Sequence, residues 1–197
     1  MPSNRHGGFG ERSGETDREQ SRHRAPGLLS DEASQGLRPP KGRTWSRRDH
    51  TPTVRVTAAG TKRVSMAALI CTKAGHRPRL IYRIHLDRGP AKGRRKGFTE
   101  TDYARLLDAA HQQLGGPIVL VWDNLNTHVS RTMRELIAAR SWLTVYQLPP
   151  YAPELNPVEG VWSHLKRSMA NLKKHSLDQL TALVKTRLKR MQYRPRS

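Results

Sequence analysis

Apolar positions in this chain fall into short, sharply bounded groups separated by polar stretches. Residues 1–26 show no periodicity and carry a single aromatic, Phe9, so disorder is expected there. The following APGLLSD places an apolar pair, Leu28-Leu29, before Asp31-Glu32, which predicts a brief strand ended by the two acids. Thr53–Thr57 (TVRVT) alternates branched and charged residues as a half-buried strand does. Arg63–Thr72 (RVSMAALICT) is an apolar run of strand length, KAGHR is a turn signal, and Arg79–Leu86 (RLIYRIHL) reads as a further strand. Together they predict an antiparallel meander.

Helical spacing begins at Thr99, where Asp102 supplies an acidic capping box. Tyr103, Leu106, Leu107, Ala110 and Leu114 then form one apolar stripe, closed by Gly115-Gly116. PIVLVWDN is a continuous apolar run, expected to be a strand buried on both faces. Met133, Leu136 and Ile137 predict a second helix, and Leu143–Leu148 another strand ended by Pro149-Pro150. A helix over Pro157–Leu172 carries the stripe Val158, Val161, Trp162, Leu165, Met169 and Leu172. Ser176 then caps a last helix containing Leu177, Leu180, Leu183, Val184 and Leu188. This order predicts an α/β fold with a mixed sheet flanked by helices. One domain over residues 27–193 is expected, with 194–197 as a short tail.

Charge adds a partner to this picture. The 197 residues hold 36 Lys+Arg against 16 Asp+Glu, a formal net charge of +20. Between residues 73 and 97 nine Lys/Arg face Asp87 alone, and from 164 onward ten face Asp178, whereas residues 98–163 hold four Arg against seven acids. An acidic centre inside a basic frame suits a protein that meets phosphates with Lys/Arg and a hard cation with carboxylates. It equally describes solvated faces around ordinary helices. No apolar run reaches the ~18 residues of a membrane span, and residues 1–26 lack the apolar core of a secretory signal. The single Cys71 excludes an intramolecular disulfide and a cysteine zinc cage. An intracellular protein with a polyanionic partner is expected.

Three acids stand where chemistry is possible. Asp123 follows the strand Ile118–Trp122 at the carboxyl end, where open α/β sheets bind ligands; it could equally close an Asx turn with Asn124. Glu159 lies third in a helix whose N-cap is Asn156 and whose first residue is Pro157, a capping-box position. It shares a helix face with Ser163, Lys166 and Arg167. Asp31 is the third candidate. His128 has no second His or Cys at metal-ligand spacing, so it reads as a helix-start or carboxylate-positioning residue. No Walker loop, GxSxG elbow, CxxC pair or GxGxxG follows any strand, which leaves P-loop hydrolysis and serine-triad chemistry without support.

The strings VLVWDNLNTH and LPPYAPELNPVEGVWSHLK resemble the catalytic core of DDE-type transposases of bacterial insertion sequences related to the mariner group. Thirty-five residues separate Asp123 from Glu159, close to that family's short spacing. SDEASQGLRPPKGRTW resembles its first-acid segment and puts the first carboxylate at Asp31. The resemblance covers roughly residues 28–193 and implies a ribonuclease-H-like fold in which Asp31, Asp123 and Glu159 hold two Mg2+ ions, with Mn2+ as a substitute. It implies cleavage and strand transfer of DNA at element ends, positioned by Asn124, His128 and Asn156, in a bacterial cytoplasmic protein that is DNA-associated and able to form a homodimer. Arg43, Arg47, Arg48, Arg94, Arg95, Lys96, Lys166 and Arg167 are the expected DNA contacts. Family members carry helix-turn-helix modules ahead of the first acid, and only residues 1–26 precede the core here. Two readings therefore stand: a metal-dependent transposase catalytic domain, or a truncated remnant that only binds DNA through its basic segments.

Overall fold

A computed structural model describes residues 27–40, 48, 62–89, 97–150, 152–172, 174 and 176–193. Five strands form one sheet: β1 (Gly27–Gly36), β2 (Arg63–Thr72), β3 (Arg79–Asp87), β4 (Ile118–Trp122) and β5 (Leu143–Gln147), in the order β3-β2-β1-β4-β5. The first three strands pair antiparallel, while β1–β4 and β4–β5 pair parallel. The mixed sheet is thus as the element order predicts. The expected strand at 53–57 lies outside the described residues, and the meander starts instead with β1.

That strand corrects the expectation of a short Leu28-Leu29 segment ended by Asp31. It runs ten residues, with Asp31 at its middle. The reason lies in β2: Gly27 to Gly36 pair without a break against Thr72 to Arg63, so the neighbour carries the polar half DEASQ into the sheet. β2 itself alternates Val64, Met66 and Ala68 toward one core with Ala67, Leu69 and Cys71 toward the other. It is the strand buried on both faces. The expectation that β4 would be so buried is corrected, because Val119 and Val121 are only half-buried.

Helices cover the two faces unequally. On one side α1 (Glu100–Leu114), α2 (Asn126–Val129) and α3 (Arg131–Ala138) close a core around Leu28, Leu69, Tyr103, Leu106, Leu120, Trp122 and Met133. The α1 capping box is formed as the sequence predicts: Thr99 Oγ1 accepts from the Asp102 amide while Asp102 accepts from the Thr99 amide. On the other side α4 (Val158–Ser168) and α5 (Leu177–Tyr193) pack over β1, β2 and β3 and leave β4 partly uncovered. Ser176 caps α5 through the Gln179 amide. The expected helix to Leu172 stops at Ser168, and the chain turns through Asn171 with φ 60°, a left-handed conformation that Asn tolerates. No helix among the described residues is long and apolar enough to cross a membrane.

Candidate active site

Sheet register brings the first two acids together. β1 and β4 are hydrogen-bonded neighbours running in parallel, with Gly27 opposite Val119, Leu28 opposite Leu120 and Leu29 opposite Val121. Two residues beyond the last pair stand Asp31 and Asp123. β1 has an antiparallel neighbour in β2 along its whole length and a parallel one in β4 only as far as Leu29, so a crevice opens beside it at the carboxyl end of β4, where α/β sheets bind ligands. Glu159 arrives from the first turn of α4. Asp31, Asp123, Asn124, Asn156 and Glu159 line one cleft of about 430 Å3, whose remaining wall is Leu125, Leu148, Pro149, Pro150 and Ala152.

Asn156 fixes the helix that carries Glu159. Its side-chain amide donates to the Ser30 carbonyl at 3.1 Å, and its Oδ1 accepts from the Val158 amide at 3.2 Å. One buried side chain therefore holds the first amide of α4 and ties the helix start to β1 one residue before Asp31. The N-cap expected at Asn156 falls one residue later, on Pro157, and Asn156 satisfies the Val158 amide from just outside the helix. Glu159 does not complete a capping box; among the described residues its carboxylate has no hydrogen-bond partner and is exposed. Asn124 donates to the Leu148 carbonyl at 3.0 Å, which bridges the ends of β4 and β5 at the cleft wall.

The two sheet acids are held in opposite electrostatic states. Asp123 Oδ1 lies 2.7 Å from His128 Nδ1, and that hydrogen bond holds its carboxyl below the usual range against the opposing effect of burial. The His128 side chain is 1% exposed, stacked on Trp122 at 4.1 Å with an interplanar angle of 4°. His128 sits in the last turn of α2 and not at a helix start. Asp31 is pushed up to about 6, first by burial and then by repulsion from Glu159 and Asp123, although the Glu32 amide donates to its Oδ1 at 2.7 Å. Its Oδ2 is buried without a partner; the Trp162 indole N–H lies close enough to favour the charge but outside hydrogen-bonding geometry.

Such a site invites a cation. No three His, Cys, Asp or Glu among the described residues are grouped closely enough to form a complete metal cage. A hard divalent ion of the Mg2+ class does not require one, since it keeps several waters and takes one or two carboxylates with substrate phosphate. The buried, unpartnered Asp31 Oδ2 and the repulsion of Asp31 by Glu159 and Asp123 are the features such an ion would relieve.

Of the expected DNA contacts, Lys166 and Arg167 are exposed on α4 along with Glu159 and Ser163. Arg48 is exposed in a turn; Arg43, Arg47, Arg94, Arg95 and Lys96 lie outside the described residues. Two participants escaped sequence reasoning. Tyr103 counted only as a stripe position, yet its hydroxyl donates to Glu32 Oε2 at 2.7 Å and its ring meets His128 edge-on at 4.7 Å. The available signal was chemical: a buried tyrosine needs a partner for its hydroxyl, and Glu32 stood beside a candidate acid.

A mixed five-stranded sheet in this order, flanked by helices and with Asp31 and Asp123 just beyond the β1/β4 pairing, has the ribonuclease-H-like fold. The chain belongs to the DDE superfamily endonuclease family, whose model matches residues 27–181. Among solved structures it is similar to the Mos1 strand transfer complex, with a TM-score of 0.61 and 16% identity over 88% of this chain and 48% of that one. The Mos1 mariner paired end complex with Mn gives 0.60 and 15% over 83% and 48%. The catalytic domain of Mos1 mariner transposase gives 0.50 and 14% over 88% and 79%. The chain thus spans about half the length of the chains in the strand transfer and paired end complexes. Comparison with curated proteins gives no match.

Proposed function

We propose that residues 27–193 form the catalytic domain of a DNA transposase, with Asp31, Asp123 and Glu159 as the acids that hold two divalent ions, Mg2+ or in substitution Mn2+. The observation that carries this reading is the register that sets Asp31 beside Asp123 in the cleft Glu159 also lines. The family match and the similarity to transposase complexes support it. When bound, the ions supply an activated water or DNA 3′-hydroxyl and a counter-charge for the leaving oxygen in displacement at phosphorus. The chain's own residues do the positioning. His128 keeps Asp123 anionic and oriented, Asn156 locks the first turn of α4 onto β1, and Asn124 holds the cleft wall. Lys166 and Arg167 lie on the Glu159 face of α4, where they would meet DNA phosphates. The working assembly in this reading is a homodimer on DNA, in the cytoplasm of a bacterium.

Nicking of supercoiled plasmid DNA in Mg2+ tests the assignment. Asp123→Asn or Glu159→Gln abolishes nicking and leaves DNA binding intact. Unchanged rates in both variants defeat the reading, and a native chain that binds DNA yet nicks it in neither Mg2+ nor Mn2+ makes it a binding remnant.

A further inference from the structure

Four side chains link the two sheet acids behind the cleft. Tyr103 of α1 is 1% exposed, and its hydroxyl donates to Glu32 Oε2 at 2.7 Å. Glu32 is the residue whose backbone amide holds Asp31 Oδ1. The same tyrosine ring stands edge-on to His128, at 4.7 Å and 82°, and His128 grips Asp123 at 2.7 Å. Trp122 supports the face of the imidazole as a parallel stack, and Tyr103 meets Trp122 edge-on at 6.5 Å. Burial, the bond to Glu32 and the nearby Asp123 and Asp31 charges push the Tyr103 hydroxyl far above its ordinary value, so it stays a donor.

Alternation explains the placement. Asp31 faces α4 while Glu32 faces α1, where Gly97, at φ +80°, lets the backbone pass close to the Glu32 carboxylate. A second cleft of about 240 Å3 is lined by Asp31, Glu32, Arg63 and Asp123, so Glu32 borders both acids without sharing the Glu159 side.

We infer that Tyr103 and Glu32 are positioning residues: their hydrogen bond fixes the distance between Asp31 and Asp123 and so sets the affinity of the site for divalent cations. This rests on the assignment of those two acids as metal ligands. It assigns to α1, which touches neither Asp31 nor Asp123 through a hydrogen bond, control over the spacing of both.

Mn2+ binding to the DNA-free protein, followed by electron paramagnetic resonance, tests it, with plasmid nicking and thermal melts alongside. Tyr103→Phe keeps the ring and removes the bond; Glu32→Ala removes the acceptor. Each is expected to weaken Mn2+ binding roughly tenfold, the low end of what outer-sphere partners contribute, and to lower kcat without raising KM for DNA. The double variant is no weaker than either single one, because the bond can be lost only once. Glu32→Gln keeps an acceptor and recovers most of the Mn2+ affinity lost in Glu32→Ala. Additive losses in the double variant, or a Glu32→Gln as weak as Glu32→Ala, overturn the bridge. So do unchanged Mn2+ affinities in both single variants while Asp123→Asn abolishes binding. If Asp123→Asn itself leaves Mn2+ binding intact, the ligand assignment fails and the bridge with it.

Discussion

The two faces of the sheet do different work. Over β1, β4 and β5 the α1 face is aromatic and closed: Phe98, Tyr103, Trp122 and His128 meet in an edge-to-face and stacked series that ends at Asp123. The α4/α5 face is packed mainly by aliphatic side chains and Trp162, stops short of β4, and presents Asp31 and Glu159 to the cleft. Charge follows the same division. On α1, Glu100, Asp102 and Asp108 outnumber Arg105, whereas α5 carries Lys185, Arg187, Lys189 and Arg190 against Asp178. On the proposed function, one face holds the acids still and the other meets the DNA. A carboxylate site for a polyanion requires this separation, because rigidity comes from dry packing and access from leaving a face open.

The largest effect that tests the division is a truncation in each core. Trp122→Ala is expected to cost about 3–5 kcal/mol and Leu165→Ala about 2–5 kcal/mol, read from urea melts. Both side chains are 1% exposed, one under His128 and one on α4. Under conditions where both variants are folded, only Trp122→Ala should lose nicking and Mn2+ affinity, since it removes the surface on which His128 stacks. Equal losses in the two would mean that the faces do not divide the labour.

A smaller effect concerns DNA. If the α4/α5 face meets the duplex, replacing Lys185 or Lys189 by Ala lowers the slope of log K against log salt by about one for each phosphate contact removed. Both are exposed, and among the described residues neither has an acidic partner within the 4.0 Å of an ion pair. Replacing Arg105 on α1 or Arg134 on α3 should leave the slope where it was. Filter binding at a series of salt concentrations distinguishes the two faces, and a slope change confined to Arg105 or Arg134 reverses their roles.

Much of this was legible in the chain because it is local. The capping box at Thr99 and the apolar run Arg63–Thr72 are read within a turn or a strand, and Asp123 and Glu159 each stand in a short string, WDN and NPVEG, that is legible by itself. Asp31 was harder. Its own neighbours are polar, and only pairing with β2, more than thirty residues away, makes DEASQ a strand and places the acid inside it. The bridge to Tyr103 is non-local in the same way: residues 32 and 103 meet across the sheet, and no spacing encodes that contact. The match of β4 to a doubly buried strand failed because an apolar run records what a strand can bury, and the reach of α4 and α5 decides what is covered.

The smallest prediction probes how the closed face is tied. Arg140, just beyond α3, grips Asp108 of α1 through two bonds, Nε to Oδ1 at 2.7 Å and Nη2 to Oδ2 at 2.8 Å. The pair holds the Asp108 carboxyl below its ordinary value and keeps Arg140 charged. Because the folded-state value is depressed, the stabilisation is fully present above the unfolded value of about 3.9 and is lost as pH falls through the folded one. Arg140 is charged throughout that window and adds no titration of its own. The Asp108 side chain is 40% exposed, so solvent screening limits the pair to about 0.5–1 kcal/mol even with bidentate geometry. Asp108→Asn should therefore lower stability by that amount at neutral pH, with the gap to the native protein closing as pH drops below about 4. A gap that persists in acid would show that Asp108 acts through packing and not through its charge, and the tie between α1 and α3 would then be apolar like the rest of that face.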